Sequence, residues 1–361
     1  MNFSRFSFIL SFALILFTST LLASEAETGK ELEEKKFNPA ELILHHISDA
    51  HEWHLWGETA IYLPVILKTD NGIEVFSSSH FYHNPKEIEF NGTNYHYYQY
   101  KNYILFHEQI YLAEDENNPL VFNEEGHLEN KAVLDFSITK NTLTLFIVVI
   151  IMLLVFVSTA KKYKSSLVPK GIAKFMEPLI LFIKDDIAIA NIGEKKYEKF
   201  LPYLLTVFFF IWFSNLLGLI PVFPGGANLT GNIAVTAVLA LITMIITNIN
   251  GSKHYWGHIF AMPGVPKFVL LILTPVEILG IFTKPFALAI RLFANITAGH
   301  IVVLSLVSIV FIFKTYFVSP VSIVMTLFIS CLELLVAFIQ AYVFTLLSAL
   351  FIGMAVDDGH H

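Results

Sequence analysis

The chain has 361 residues, of which 55% are hydrophobic and 15% charged, with a mean hydropathy of +0.62; that is too apolar for an ordinary soluble domain, yet long enough for several membrane spans plus a soluble part. A formal net charge of −7 argues against nucleic acid as a partner. The lone Cys331 excludes an intrachain disulfide, and no Gly-rich loop ending in Gly-Lys-Ser/Thr is present to cradle a nucleotide phosphate.

The chain starts in the order of a secretory signal peptide, expected over residues 1–24. Arg5 is followed by an apolar stretch from Phe6 to Leu22, by the small Ala23 and Ser24, and by an acidic run from Glu25 to Glu34. An uncleaved anchor helix is the alternative, and either way the next segment is exported.

Residues 25–135 are mixed and polar and are expected to form an extracytoplasmic, periplasmic domain. Lys36 to Trp56 fits a short amphipathic helix. Strand-like runs follow at Thr59–Leu67, Ile73–Ser78, His80–His83, Tyr95–Phe106 and Gln109–Leu112, with Asp70-Asn71-Gly72 as a hairpin signal. His45, His46, His51 and His54 are closely spaced, and His80 and His83 come next. A metal site is the sharp reading of these histidines. No cysteine joins them and no spacing fixes a tetrahedron, so packed or solvated histidines are expected, with no metal or other cofactor.

Five apolar stretches make up the rest, a membrane domain over 140–355 with a polar tail at 356–361. Leu143–Val157 is closed by Lys161, Lys162 and Lys164, with Lys170 and Lys174 behind. This basic cluster marks the cytoplasmic side. Residues 171–192 suit an amphipathic helix at the cytoplasmic interface. Phe200–Ile220 is the second span, Pro221 to Gly226 an outer turn, and Ile233–Ile249 the third span. Residues 267–313 and 319–355 are apolar with few breaks. The first of these would run for about 70 Å as one helix, against a bilayer core of about 30 Å. It either crosses twice or is strongly tilted, with Pro275 and Pro285 as possible kinks. The expected fold is therefore a mainly α-helical polytopic membrane protein. It has about five membrane-embedded helices, one interfacial helix, and a small exported N-terminal domain with β-strands.

Within the last two stretches sit Glu277, Lys284, Arg291, Asn295, His300, Glu333 and Gln340. A charge at mid-membrane costs at least about 2.5–3.5 kcal/mol, so such groups face a cavity, a partner or a pathway. The turn between the stretches is Lys314 to Pro320. In an antiparallel hairpin, residues equidistant from it lie side by side, which places His300 near Glu333 and Arg291 opposite Tyr342, within a turn of Gln340. Arg291 and Asn295 share a helix face, as do Glu333 and Gln340. Arg291 and His300 are about half a rotation out of phase. Ala287, Ala294 and Ala298 line the Arg291 face, where small residues let another helix approach closely. Two readings stay open on these grounds: an apolar partner sliding past one buried charge, or a tight static contact with Arg291 paired to an acid. His300 and Glu333 are either a proton relay or a static pair.

Arg291-Leu292-Phe293-Ala294-Asn295, followed by Ala298-Gly299, resembles the signature of the subunit a family of F-type ATP synthases. Glu277, Thr283-Lys284-Pro285 and Asn215-Leu216 with Pro221 also match. The resemblance covers about residues 140–355 and implies that the last two helices are long and steeply tilted around a rotor ring. It implies that Arg291 is the essential stator arginine facing a rotor ring of c subunits, with Asn295 and Gln340 flanking it. It implies that His300 and Glu333 line the outer half-channel, in swapped order relative to members with Glu first, and that Glu277 serves the cytoplasmic half-channel. The implied protein is a proton-translocating stator subunit without an ATP site of its own. It would sit in a bacterial inner membrane with a cytoplasmic C-terminus, beside the c-ring and the peripheral-stalk b subunits and linked to the catalytic head. The exported domain lies outside the resemblance. A lone transporter or channel using the same charges, and a membrane anchor for a working exported domain, are the other classes. Transporters usually carry internal repeats, and none is visible here.

Overall fold

The computed structural model describes residues 48–358 except 57–58, 71, 83–84, 91–92, 115–118, 124–127, 166–169, 221–222, 263 and 314–317. The expected signal peptide, the acidic run, His45, His46, His83, Pro221, Lys314 and residues 359–361 lie outside the described residues.

The described residues of the N-terminal part form three small antiparallel sheets. β1 (Glu52–Trp56) pairs with β2 (Thr59–Tyr62), while β3 (Pro64–Thr69) lies between β4 (Gly72–Ser77) and the short β9 (Leu134–Asp135). The third sheet runs β5 (Pro85–Phe90), β6 (Thr93–Tyr100), β7 (Tyr103–Phe106) and β8 (Gln109–Leu112) in sequence order. β3 and β4 pair antiparallel across the segment that carries the hairpin signal, down to Thr69 opposite Gly72.

Three expectations need correction. The described end of the Lys36–Trp56 segment is strand β1, not helix, because its residues pair with β2 from Glu52 onward. The described part of the expected strand His80–His83 is not a strand: Ser79–Tyr82 is a single helical turn, α1, which drives Phe81 fully inside against Phe76 and Tyr100. The run Tyr95–Phe106 splits into two strands at Lys101, whose φ of 51° makes a two-residue hairpin turn without the Asn-Gly signal.

The membrane part begins with α2 (Lys140–Ser165). Its N-terminus is capped from afar: Asp49 accepts from the Asn141 N–H and the Thr139 hydroxyl, each at 3.0 Å, and the Lys140 N–H donates to the Ala50 carbonyl. Such a cap contributes about 1 kcal/mol and fastens the β domain to the first membrane helix. α3 (Ile172–Phe182) continues through a π-helical stretch, Ile183–Ile189, to a last turn at Ala190–Ile192. One face of this segment is buried through Met176, Ile183 and Ile187. Next come α4 (Tyr197–Gly218), α5 (Ile233–Ile249), the short α6 (Lys253–Phe260), α7 (Lys267–Phe313) and α8 (Val318–Val356). Among the described residues four helices are long and apolar enough to cross a membrane, five if α5 and α6, bent by 103°, count as one span.

The long apolar stretch is one helix: α7 runs through both Pro275 and Pro285 for 47 residues. At about 1.5 Å per residue that is roughly 70 Å, more than twice a bilayer core. Ile183, Ile187, Phe208, Leu288, Leu292, Phe344 and Ile352 interlock in one core cluster. Leu153, Leu154, Leu271, Leu334 and Leu335 are exposed on the outside. In a bilayer it is packing rather than exclusion from water that joins such helices.

The α7–α8 hairpin has the antiparallel register that counting from the turn requires. The Ser322 hydroxyl donates to the Leu306 carbonyl at 2.6 Å, and Glu333 lies against Gly299. The end of α8 is held beside the basic loops: Lys196 pairs with Asp358 and donates to the Val356 carbonyl at 2.6 Å, and the Ser252 hydroxyl donates to the Asp357 carbonyl at 2.7 Å.

Candidate functional site

On α7 the residues Ala287, Arg291, Ala294, Asn295 and Ala298 are all exposed. Their spacing puts them on one helical stripe. Leu288, Ala289 and Leu292 on the opposite side are buried in the bundle. The helix therefore has an outward face that is small, apolar and broken by one cation and one amide. Among the described residues no hydrogen bond or ion pair to Arg291 is found. A static Arg291–carboxylate pair within the chain, one of the two readings open from sequence, is not formed by those residues. Gln340, on α8, is buried, and no hydrogen bond joins it to Arg291.

Beside this face lies a cavity of about 250 Å³ between α4, α7 and α8. Asn215, Asn295, His300 and Glu333 line it among apolar side chains. The structure thus brings together three of the polar residues singled out within the last two stretches, and Asn215, one of the residues that carry the resemblance, joins them. Glu333 Oε1 sits 2.6 Å from where a Cβ on residue 299 would stand, so only glycine at 299 admits the carboxylate in this place. His300 Nε2 lies 3.8 Å, and the Ala227 carbonyl 3.2 Å, from a Cβ built on Gly218. A second close-approach glycine thus brings the end of α4 and the loop after it up to the histidine. Asn215 is fixed on both ends: its amide donates to the Ala337 carbonyl at 3.2 Å, and the Thr230 hydroxyl donates to its oxygen at 2.5 Å.

At the other end of α7, Glu277 is half-buried and within electrostatic reach of Tyr255. The Tyr255 hydroxyl donates to Asn248 at 3.1 Å. A small cavity of about 20 Å³ lies here, lined in part by Thr243, Thr247, Asn248, Tyr255 and Lys284. The Tyr203 hydroxyl and Thr243 are 2.6 Å apart, and Thr243 and Ser348 3.5 Å. These hydroxyls were not singled out from sequence. The signal was there: Thr236, Ala240, Thr243 and Thr247 form one buried stripe of small residues on α5.

A third polar cluster ties the β domain together. The His51 Nε2 lies 3.0 Å from an Asp135 oxygen and its Nδ1 3.9 Å from Glu108, which also accepts from the Tyr82 hydroxyl at 3.1 Å. Burial opposes the imidazolium charge, yet the Asp135 carboxylate and, at longer range, Glu108 overcome it and hold His51 up at about 9. His80 instead stacks on Tyr100 at 4.5 Å. Among the described residues no three His, Cys, Asp or Glu groups are arranged to hold a metal ion.

Two regions of the chain match known families. Residues 142–353 match the ATP synthase A chain family, and residues 42–136 match a domain of unknown function (DUF8433). Among similar proteins, ATP synthase subunit a of Chloroherpeton thalassium is 49% identical over 233 residues, 63% of this chain and 69% of the relative. ATP synthase subunit a 2 of Chlorobaculum tepidum is 52% identical over 249 residues, 65% and 68% of the two chains. ATP synthase subunit a of Myxococcus xanthus is 46% identical over 234 residues, 63% and 76%.

Proposed function

This chain belongs to the ATP synthase A chain family, and from that premise we propose that it conducts protons through the membrane sector of the synthase by two offset half-channels against a rotating ring of c subunits. The observation that carries the reading is Arg291: a cation exposed on a stripe of alanines, unpaired among the described residues, next to the His300–Glu333 cavity. An unpaired charge at membrane depth is costly. A carboxylate on a passing apolar helix is the partner that relieves it.

In this mechanism a proton reaches the cavity from the outer side and passes by His300 and Glu333 to a c-subunit carboxylate. The neutral acid turns through lipid, where its ionised form would be costly. Near Glu277 it releases its proton to the inner side. Arg291 stands between the two channels. Its fixed charge favours the ionised form of the passing carboxylate and repels a proton hopping directly across. Asn295 sits one turn from Arg291 and also lines the cavity, a position from which it orients both; Gln340 supports the same region from α8.

The same geometry supports one orientation in the membrane. The C-terminal residues Asp357 and Asp358 are held at Ser252 and Lys196, among the basic loops that mark the cytoplasmic side. The β domain caps α2 at its other end, which suits a periplasmic position in a bacterial inner membrane after signal-peptide export. The peripheral-stalk b subunits and the catalytic head complete the set of partners, with rotation as the link to ATP synthesis.

The test is ATP-driven proton pumping in vesicles carrying the intact complex. Arg291→Ala should abolish it, and the double exchange His300→Glu with Glu333→His should keep a measurable part. An Arg291→Ala complex that pumps normally would overturn the role given to Arg291 and with it the two-channel reading.

A further inference from the structure

Trp53 belongs to the β domain, yet its side chain does its bonding in the membrane part. It is 3% exposed, its indole N–H donates to the Gly225 carbonyl at 3.1 Å, and its ring meets Phe223 edge-on at 5.1 Å. Gly225 and Phe223 lie in the loop between α4 and α5. From that point the loop runs inward. The Gly226 N–H donates to the Leu217 carbonyl at 3.2 Å, Ala227, Leu229 and Thr230 are each at most 1% exposed, and Thr230 donates to Asn215. Asn215 lines the cavity of His300 and Glu333. The Ala227 carbonyl packs on Gly218, beside His300.

We propose that Trp53 is a positioning residue of the outer proton inlet: the exported domain holds the α4–α5 loop, and the loop holds Asn215 and the wall beside His300. This rests on reading the cavity as the outer half-channel. The physical case is one of leverage. A buried indole N–H is not left unpaired without cost, so its partner carbonyl is fixed. A loop fixed at Gly225 and again at Thr230 has little freedom between the two points. Strand β1 supplies the rigid base, with Trp53 opposite Ile61 of β2. The neighbouring His51 is bonded to Asp135, which closes the domain just before α2. The exported domain is thus a brace on the mouth of the channel, joined to the bundle at the start of α2 and at this loop.

The experiment uses the intact complex in proteoliposomes and measures ATP synthesis per assembled complex against the proton concentration on the outer side. Trp53→Phe keeps a ring against Phe223 and removes the donor. It should raise the half-saturating proton concentration about fivefold, the effect of one net hydrogen bond. Thr230→Val should give the same displacement, and the double variant should be no worse than the worse single, because both act on one path. Native half-saturation in Trp53→Phe, or simple addition of the two effects, overturns the proposal. If Trp53→Phe lowers the amount of assembled complex, Thr230→Val decides, and native half-saturation there also overturns it. The double exchange of His300 and Glu333 serves as the control for the underlying reading. If that exchange leaves outer half-saturation unchanged, the inlet assignment fails. If it alters half-saturation and Trp53→Phe does not, only the brace fails.

Discussion

Gly299→Ala isolates the placement of the Glu333 carboxylate from its chemistry. The added Cβ would stand 2.6 Å from Glu333 Oε1, and 3.4 Å from both Cγ and Cδ of the same side chain. Ordinary contact begins near 3.4 Å, so the carboxylate must retreat by about 0.8 Å. The obstructing atoms belong to a flexible side chain, so the helices need not move, and the complex should assemble in native amounts. Displacing a proton-transfer group by nearly 1 Å lowers its rate by about tenfold to a hundredfold. Proton flux per complex, followed by a pH-sensitive dye during ATP-driven pumping in vesicles, should fall by that factor. Glu333→Asp removes one methylene and with it the clash. Gly299→Ala should therefore cost nothing further when added to Glu333→Asp, however slow that background is. A native rate in Gly299→Ala, or an equal loss in both backgrounds, would refute the placement of Glu333 against Gly299.

The His51 cluster predicts a pH dependence in the β domain. Its folded value of about 9 stands above the ordinary histidine value of 6.5, so the protonated form is the one the fold stabilises. The contribution is full below pH 6.5 and is lost as pH rises through about 9; its size is on the order of 3 kcal/mol. Hydrogen exchange of strands β3 and β9 in the whole protein, corrected for intrinsic rates, should show more protection at pH 6 than at pH 9.5. His51→Gln should remove that difference, and equal protection in the native protein at both pH values counts against the ion pairs. Thr247 has a buried hydroxyl with no hydrogen-bond partner among the described residues. Thr247→Val should leave the thermal stability of the purified complex unchanged or raise it by up to about 1 kcal/mol; a clear loss would mean that the hydroxyl is bonded.

Much of the membrane part was legible in the sequence because a chain in lipid must satisfy its backbone hydrogen bonds within each segment. Helices are then the only spanning choice. The pattern of apolar runs gives their order, and distance from a turn gives the register of neighbours. The stripe of Ala287, Arg291, Ala294 and Ala298, and the proximity of Glu333 to His300, follow from helical periodicity and counting alone. Lys36–Trp56 and His80–His83 went wrong for the opposite reason. They lie in a soluble β domain where pairing is non-local, and the burial of Phe81 or the partner of Glu52 is set by strands distant in sequence.

The sequence by itself determined the class of the chain, its apolar stretches, its sidedness signals and the identity of the titratable groups, since these depend on local hydropathy and charge. Only the tertiary structure decided that α7 continues through both prolines, that Arg291 has no partner among the described residues, and that Asn215 joins His300 and Glu333 at one cavity. It alone brought Trp53 to the Gly225 carbonyl. These are contacts between segments far apart in the chain, fixed by the mutual packing of surfaces, and no local pattern of residue types encodes them.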